Sequence, residues 1–199
     1  MKQALETEKL YYGFPIFILG YKDEAFSYNI TTASSSYSLG DMVVIGLFEG
    51  NNAVRQIQKS GSFTLNIPER KEALIMESAG FMTGQDKLSE LSVSYSQAET
   101  IDAPLLTACP INLECQVETV QQWEHYVNFT ARITKRWADD RLFDEKGYFR
   151  STDFHPLIYM GDSKKRIYRY LDEEDSDQSG SFIKKARKKY DKNFRAGQR

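Results

Sequence analysis

The residues with the clearest chemical potential in this chain are crowded into one stretch. It runs from Phe26 to Ser38 as Phe-Ser-Tyr-Asn-Ile-Thr-Thr-Ala-Ser-Ser-Ser-Tyr-Ser. Its second half is almost pure hydroxyl: Thr31, Thr32, Ser34, Ser35, Ser36, Tyr37 and Ser38, with Ala33 the single apolar break and Asn29 leading in. Small hydroxyl side chains let a ligand come close to the backbone, and each adds a donor to its own N–H. Such a row can surround an anionic group, phosphate above all, with neutral donors and amides. The same composition also describes a polar surface loop. Apolar runs sit tightly on both sides, Phe14 to Leu19 and Met42 to Phe48, and favour a ligand loop between core strands.

A phosphate dianion also calls for a cation. Arg55 stands near the start of a short helix and Lys87 closes Gly84-Gln85-Asp86-Lys87. The alternatives are an exposed helix cation for Arg55 and a lysine paired with Asp86 for Lys87. Gly80 and Gly84 bracket Phe81-Met82-Thr83, a loop able to offer backbone N–H groups, with Phe81 either lying on a planar ligand or anchoring the core. His125 opens a long strand, where it serves either as a proton relay or as a strand-end surface residue. His155, before Pro156, reads as a turn residue, and Trp123 as a partner contact or an exposed hairpin tip. Cys109 and Cys115 fit neither a zinc nor a thioredoxin-like spacing and read as two free thiols. No metal-ligand set is expected.

The elements that would position these residues are mostly strands. Two segments alternate cleanly: Ile111-Leu113-Cys115-Val117 and Val127-Phe129-Ala131-Ile133 are apolar, with polar residues between them. The short connection Gln121-Gln122-Trp123-Glu124 makes them an antiparallel hairpin, and strands of this kind curling round a core give a barrel. Further strands are expected over Pro15–Gly20, Ala25–Ile30, Met42–Phe48, Ser62–Ile67, Leu157–Met160 and Arg166–Leu171. A helix capped by Asn51 or Asn52 should end at Gly61, and Glu69 to Phe81 reads as helical. Asp139 to Asp153 reads as an extended loop.

With 199 residues, 41% of them hydrophobic, the chain can bury one sizeable core. The expected division is a domain over 1–171 and a tail over 172–199. A formal charge of −2 argues against nucleic-acid binding by the body, because phosphate neutralisation needs a basic surface. The tail differs: an acidic run, Asp172 to Asp177, precedes a basic stretch in which Ile183, Ala186, Tyr190 and Phe194 fall near one helical face. It reads as a docked terminal helix or a partly ordered solubilising tail, with anionic-surface binding as the alternative. The N-terminus has no apolar signal-peptide core, and no apolar run approaches the length of a membrane span. A soluble, cytoplasmic protein is expected.

Asn-Ile-Thr-Thr-Ala-Ser-Ser-Ser, then an apolar strand and a helix ending in Lys-Ser-Gly-Ser-Phe-Thr-Leu-Asn-Ile, resembles the flavin reductase-like family. The likeness continues at Thr83-Gly-Gln-Asp-Lys-Leu88, Pro104-Leu-Leu106, Asn112-Leu-Glu-Cys115, His125-Tyr-Val127 and Pro156-Leu-Ile-Tyr-Met-Gly161, covering roughly Tyr11 to Leu171. The resemblance implies a mainly β, FMN-binding split β-barrel of Greek-key type with a few peripheral helices. It implies that Asn29, Thr31, Thr32, Ala33, Ser34 and Ser35 contact FMN, with Lys87, Arg55, Phe81 and Gly84 as further cofactor contacts. It places His125 beside the approach of a nicotinamide, as the catalytic candidate. It implies hydride transfer from NADH or NADPH to flavin in a homodimer; the alternatives are a non-catalytic flavin carrier reduced by a redox partner protein, and a nucleic-acid module using the tail. Two departures stand out: Leu39-Gly40-Asp41-Met42 where many members carry proline, and Asn51-Asn52-Ala53 where many carry threonine. No G-x-G-x-x-G is present, so nothing in the sequence points to a Rossmann site.

Overall fold

Alternating and apolar runs convert into strands along most of the chain. A computed structural model describes residues 2–171 together with Ser176, Ser179 and Phe182. The strands are β1 (Leu10–Pro15), β2 (Phe17–Asp23), β3 (Ser27–Ala33), β4 (Ser36–Leu39), β5 (Met42–Phe48), β6 (Ser62–Ile67), β7 (Tyr95–Gln97), β8 (Pro104–Leu106), β9 (Ile111–Trp123), β10 (Tyr126–Ala138), β11 (Ile158–Asp162) and β12 (Arg166–Arg169). The helices are α1 (Asn52–Ser60), α2 (Ala73–Phe81) and the single turn α3 (Lys87–Glu90).

The main sheet has seven strands in the order β3-β2-β6-β9-β10-β5-β4. Its two end strands, β3 and β4, are consecutive in the chain, with only Ser34 and Ser35 between them. A sheet whose first and last strands are joined by two residues has to roll up, and closure removes most of its open edge. The β9–β10 ladder shifts register between Thr130 and Ala131 and again between Ile133 and Lys135. Such bulges bend strands and supply the curvature that closure needs. The alternation read from the sequence becomes the interior: Phe17, Leu19, Phe63, Leu65, Cys115, Val127, Phe129 and Ala131 are buried in one cluster. Helix α1 adds Ala53, Val54 and Ile57 to this cluster. Asn51 caps the helix, its side chain accepting from Ala53 N, and Gly61 ends it.

Strand β2 is buried on both faces. Its Ile18 and the preceding Ile16, with Ile30, Met76, Ala79, Leu106 and Leu157, form a second core outside the barrel. The separate sheet β1-β11-β12 lies against this layer through Tyr159 and Tyr168. Buried polar groups are paired: among the described residues no buried side-chain nitrogen or oxygen lacks a hydrogen-bond partner. Glu114, fully buried, accepts from Thr100 N, Thr100 Oγ1, Glu99 N and Trp137 Nε1 at 2.6–3.1 Å. Burial pushes its pKa up, but these donors outweigh that and hold it below the usual range.

Several expectations need correcting. The hydroxyl-rich segment is not a loop: Thr31, Thr32 and Ala33 continue β3 in register with β2, and Ser36 begins β4. β-Branched threonines suit a strand, and the partner ladder decides the matter. Strand β1 was not foreseen, because Tyr11, Tyr12 and a kinking Gly13 do not alternate cleanly. The segment over 69–81 is a short 3₁₀ turn (Arg70–Glu72) leading into α2, and two further 3₁₀ turns lie within 139–153. The final strands form a separate sheet with β1, β11 pairing with β1 and β12 with β11. Readings made for the tail fall outside the described residues.

Candidate functional site

The pairing Tyr21↔Asn29, Leu19↔Thr31 and Phe17↔Ala33 puts odd-numbered β3 residues on the barrel face. Ile30 and Thr32 point the other way, toward α2. The last turn of α2 comes close to this strand: a Cβ added at Gly80 would sit 3.4 Å from Thr32 Cβ. The Thr32 hydroxyl donates to Met76 O and fastens helix to strand. Gly80 therefore stands between two compartments, one on each side of the helix end.

The first compartment lies between β3 and the end of β5, with Asn29, Thr31, Phe48, Asn51, Gly84 and Lys87 among its walls. Cross-strand bonding along this seam stops at Gly46 N→Ser35 O, 2.9 Å, and beyond it the strands part. Asn29 is the hub of one wall. It is buried, its Nδ2 donates to Gln85 O (3.0 Å), and its Oδ1 accepts from Ile30 N (2.9 Å) and Lys87 N (3.3 Å). These bonds clamp the loop that turns at Gly84, whose φ of +69° is readily reached by glycine. Lys87 is only 6% exposed. Its Nζ donates to Ala79 O at 2.7 Å, and among the described residues no carboxylate lies within ion-pair distance of it. Burial pushes its pKa down to about 8, partly offset by the field of Asp23.

The opposite wall is the start of α1. Asn52 Nδ2 donates to Asp23 Oδ2 (2.9 Å) and its Oδ1 accepts from Arg55 Nη2 (2.7 Å). Arg55 is thereby turned along the exposed helix face, outside both compartments. His125 is also outside. It sits at the rim, with Nδ1 2.9 Å from Glu49 Oε1 and its carbonyl accepting from Glu49 N. That hydrogen bond, assisted by Gln122, holds the Glu49 carboxyl below its ordinary range despite slight desolvation. The neighbours of Glu49, Phe48 and Gly50, line the first compartment.

The second compartment collects Thr32 and Ala33 from β3, Ser34 from the connection to β4, Phe81 from α2, and Tyr159, Arg166 and Tyr168 from the three-stranded sheet. Ser35 faces solvent and lines neither. Of the residues singled out from sequence, Asn29, Thr31, Gly84 and Lys87 come together, and Thr32, Ala33, Ser34 and Phe81 form a second group. Tyr21, Phe48, Tyr159, Arg166 and Tyr168 were not singled out. For the tyrosines the available signal was alternation: Tyr159 and Tyr168 are cross-strand partners on one face. Among the described residues no group of histidine, cysteine and carboxylate side chains is placed to hold a metal ion.

A seven-stranded sheet closed through β3 and β4, with a cleft opening along that seam, defines a split β-barrel. Residues 12–168 match the flavin reductase like domain, and the chain belongs to that family. Flavoredoxin of Desulfovibrio vulgaris (Miyazaki F) is similar in structure, with a TM-score of 0.80 and 25% identity over 91% of this chain and 98% of its own. An FMN-binding protein from Thermus thermophilus aligns with a TM-score of 0.73 at 18% identity, covering 89% of this chain and all (100%) of its own. An NADH:FAD oxidoreductase of Streptomyces globisporus aligns with a TM-score of 0.66 at 13% identity, over 81% and 87% of the two chains. No described helix is long and apolar enough to cross a membrane.

Proposed function

We propose that the protein is an FMN-binding oxidoreductase that accepts hydride from NADH or NADPH, working as a cytoplasmic homodimer. The observation that carries the flavin reading is Lys87, a buried ammonium with no carboxylate within ion-pair distance among the described residues, in a compartment walled by amides and hydroxyls. A buried cation is costly unless something pairs with it, and a phosphate dianion is the matching partner. Asn29 and Thr31 add polar groups on one side, and the positive end of α1 favours an anion on the other. These residues fit the phosphate end of FMN.

Bound flavin supplies the redox chemistry, so the residues of the chain bind, orient and admit the reductant. Lys87 holds the phosphate, Asn29 holds the loop that carries Lys87, and His125 stands at the rim where a nicotinamide would enter. The Glu49 carboxylate orients the imidazole through Nδ1 and leaves Nε2 for a substrate amide or a proton. Turnover of NADH or NADPH by protein loaded with FMN tests the reading. His125→Ala should retain FMN and slow its reduction about 10²-fold in stopped flow; an unchanged rate removes the catalytic role.

A second reading is a flavin electron carrier reduced by a partner protein. It is favoured by the likeness to flavoredoxin, which exceeds that to the NADH:FAD oxidoreductase in both identity and TM-score. Stoichiometric flavin with no NAD(P)H oxidation selects the carrier. Light scattering checks the dimer, and a monomeric mass with flavin bound refutes it.

A further inference from the structure

The second compartment is built for something other than a phosphate. Its floor is a pair of stacked phenols, Tyr159 and Tyr168, with ring centroids 5.7 Å apart and 30° between planes. Across from them stands Phe81, the last residue of α2, which leaves 83% of its surface in water. A large apolar ring left open beside a concave aromatic wall is an unpartnered face. Its spacing from the wall is bounded by Thr32 and Gly80, which hold the helix end against β3.

The compartment has two charged groups, Glu77 and Arg166, and the Arg166 guanidinium also lies over the Tyr11 ring, 5.8 Å from its centroid. Glu77 accepts the Tyr168 hydroxyl at 3.1 Å. Burial, then Glu77, raises the Tyr168 pKa to about 12, so the phenol keeps its proton at neutral pH and keeps donating. Arg166 gives Nε–H to Asp162 O (3.3 Å) and hydrogen-bonds Tyr159, while no carboxylate pairs with it among the described residues. A guanidinium has five N–H donors in a planar fork, so an edge remains for a carboxylate. Ser34 adds a hydroxyl that has no side-chain hydrogen bond among the described residues.

We infer that this compartment binds a planar aromatic ring bearing a carboxylate, the ring lying between Phe81 and the Tyr159–Tyr168 pair and the carboxylate on Arg166. This site is separate from the phosphate compartment and does not depend on the flavin reading. It gives the family scaffold a place for a small aromatic acid beside the seam of the barrel. Planarity is selected by the aromatic walls and negative charge by the guanidinium, so both are needed for tight binding.

The test uses the full chain, with and without saturating FMN, and three probes by calorimetry: benzoate, cyclohexanecarboxylate and benzamide. Benzoate should bind about tenfold more tightly than either of the others, since each lacks one of the two features. Arg166→Gln should weaken benzoate about tenfold and leave benzamide unchanged. Phe81→Ala, at an exposed side chain whose loss leaves the fold intact, should weaken benzoate severalfold. Loss of benzoate binding on saturation with FMN would overturn the proposal, because the compartment would then be part of the flavin site. Equal affinity in Arg166→Gln, or no saturable binding at millimolar benzoate, would also overturn it. If the flavin reading alone is wrong, FMN fails to bind and the benzoate results stand unchanged.

Discussion

Lys87 makes a prediction that separates phosphate recognition from every other contribution to flavin binding. In the free protein its pKa is pushed down to about 8, so around pH 7 the ammonium is mostly protonated and above pH 8 it is progressively lost. A phosphate monoester is a dianion above its second pKa near 6, and pairing with it favours the protonated lysine. If bound phosphate returns Lys87 to the ordinary lysine value of about 10.4, affinity falls roughly tenfold per pH unit between 8 and 10. The loss is then about 100-fold, or about 2.7 kcal/mol. Riboflavin has the same ring and ribityl chain without the phosphate, so the ratio of the two affinities isolates the linkage from ring ionisation. Burial pushes Tyr21, Cys109 and Cys115 up to about 12, so these core groups stay neutral across the range. Fluorescence-quenching titrations from pH 7 to 10 give the ratio directly. Lys87→Met should lower it about 10- to 100-fold at pH 7 and abolish its slope, a charge-assisted bond being worth roughly 1.5–3 kcal/mol. A flat wild-type ratio, or an equal slope in Lys87→Met, would refute the assignment of Lys87 to phosphate.

Asn29→Leu leaves Ile30 N and Lys87 N without their side-chain acceptor, so it should cost about 2–4 kcal/mol in urea unfolding and weaken FMN more than tenfold. Ser34→Ala combined with Ser35→Ala should leave the FMN-to-riboflavin ratio within about twofold in the same titrations, because neither residue lines the Lys87 compartment. Glu114→Ala should destabilise by about 3 kcal/mol, since four donors lose their acceptor. Because its folded-state pKa is depressed, the Glu114 contribution is fully present above the unfolded value of about 4.3 and disappears as pH falls through the folded value. Acid titration of Glu114→Gln should lack that component.

The barrel was legible where one face meets core and the other meets solvent. Strands β9 and β10 alternate apolar and polar residues, and that pattern has one cheap solution. Helix α1 was legible from its ends, Asn51 and Gly61, which carry specific backbone chemistry. The strand expected over Ala25–Ile30 continues as β3 to Ala33; this extension is illegible locally because Thr31 and Thr32 are polar, and no local rule says that β2 will pair with them. Lys87 could be named from its place in Gly84-Gln85-Asp86-Lys87, but its burial depends on Asn29, a residue 58 positions earlier in the chain. Arg55 had the same chemistry on paper; Asn52 turns it away through a contact three residues distant. The aromatic compartment was illegible because Phe81 and Tyr168 meet only after the three-stranded sheet packs on α2.

The seam of the barrel and the candidate site coincide for a physical reason. Rolling a sheet whose end strands are consecutive forces β3 and β5 toward each other, yet β4 occupies the hydrogen-bonding edge of β5 only as far as Gly46. Past that point β3 has a paired edge toward β2 and an open edge toward the gap. Open edges expose N–H and C=O groups that must find partners. Part of the need is met internally, Asn29 Oδ1 taking the Ile30 N–H. The rest is available to a ligand, and hydroxyl side chains on the same strand extend what the edge can bond. A long apolar strand here would invite another strand to complete the sheet. Asn29 and Thr31 keep the gap polar, and on the proposed reading leave it to an anion drawn in by Lys87. The gap therefore exists because the barrel does not quite close, and on the proposed reading Asn29 and Thr31 of β3 turn that unpaired edge into a binding surface.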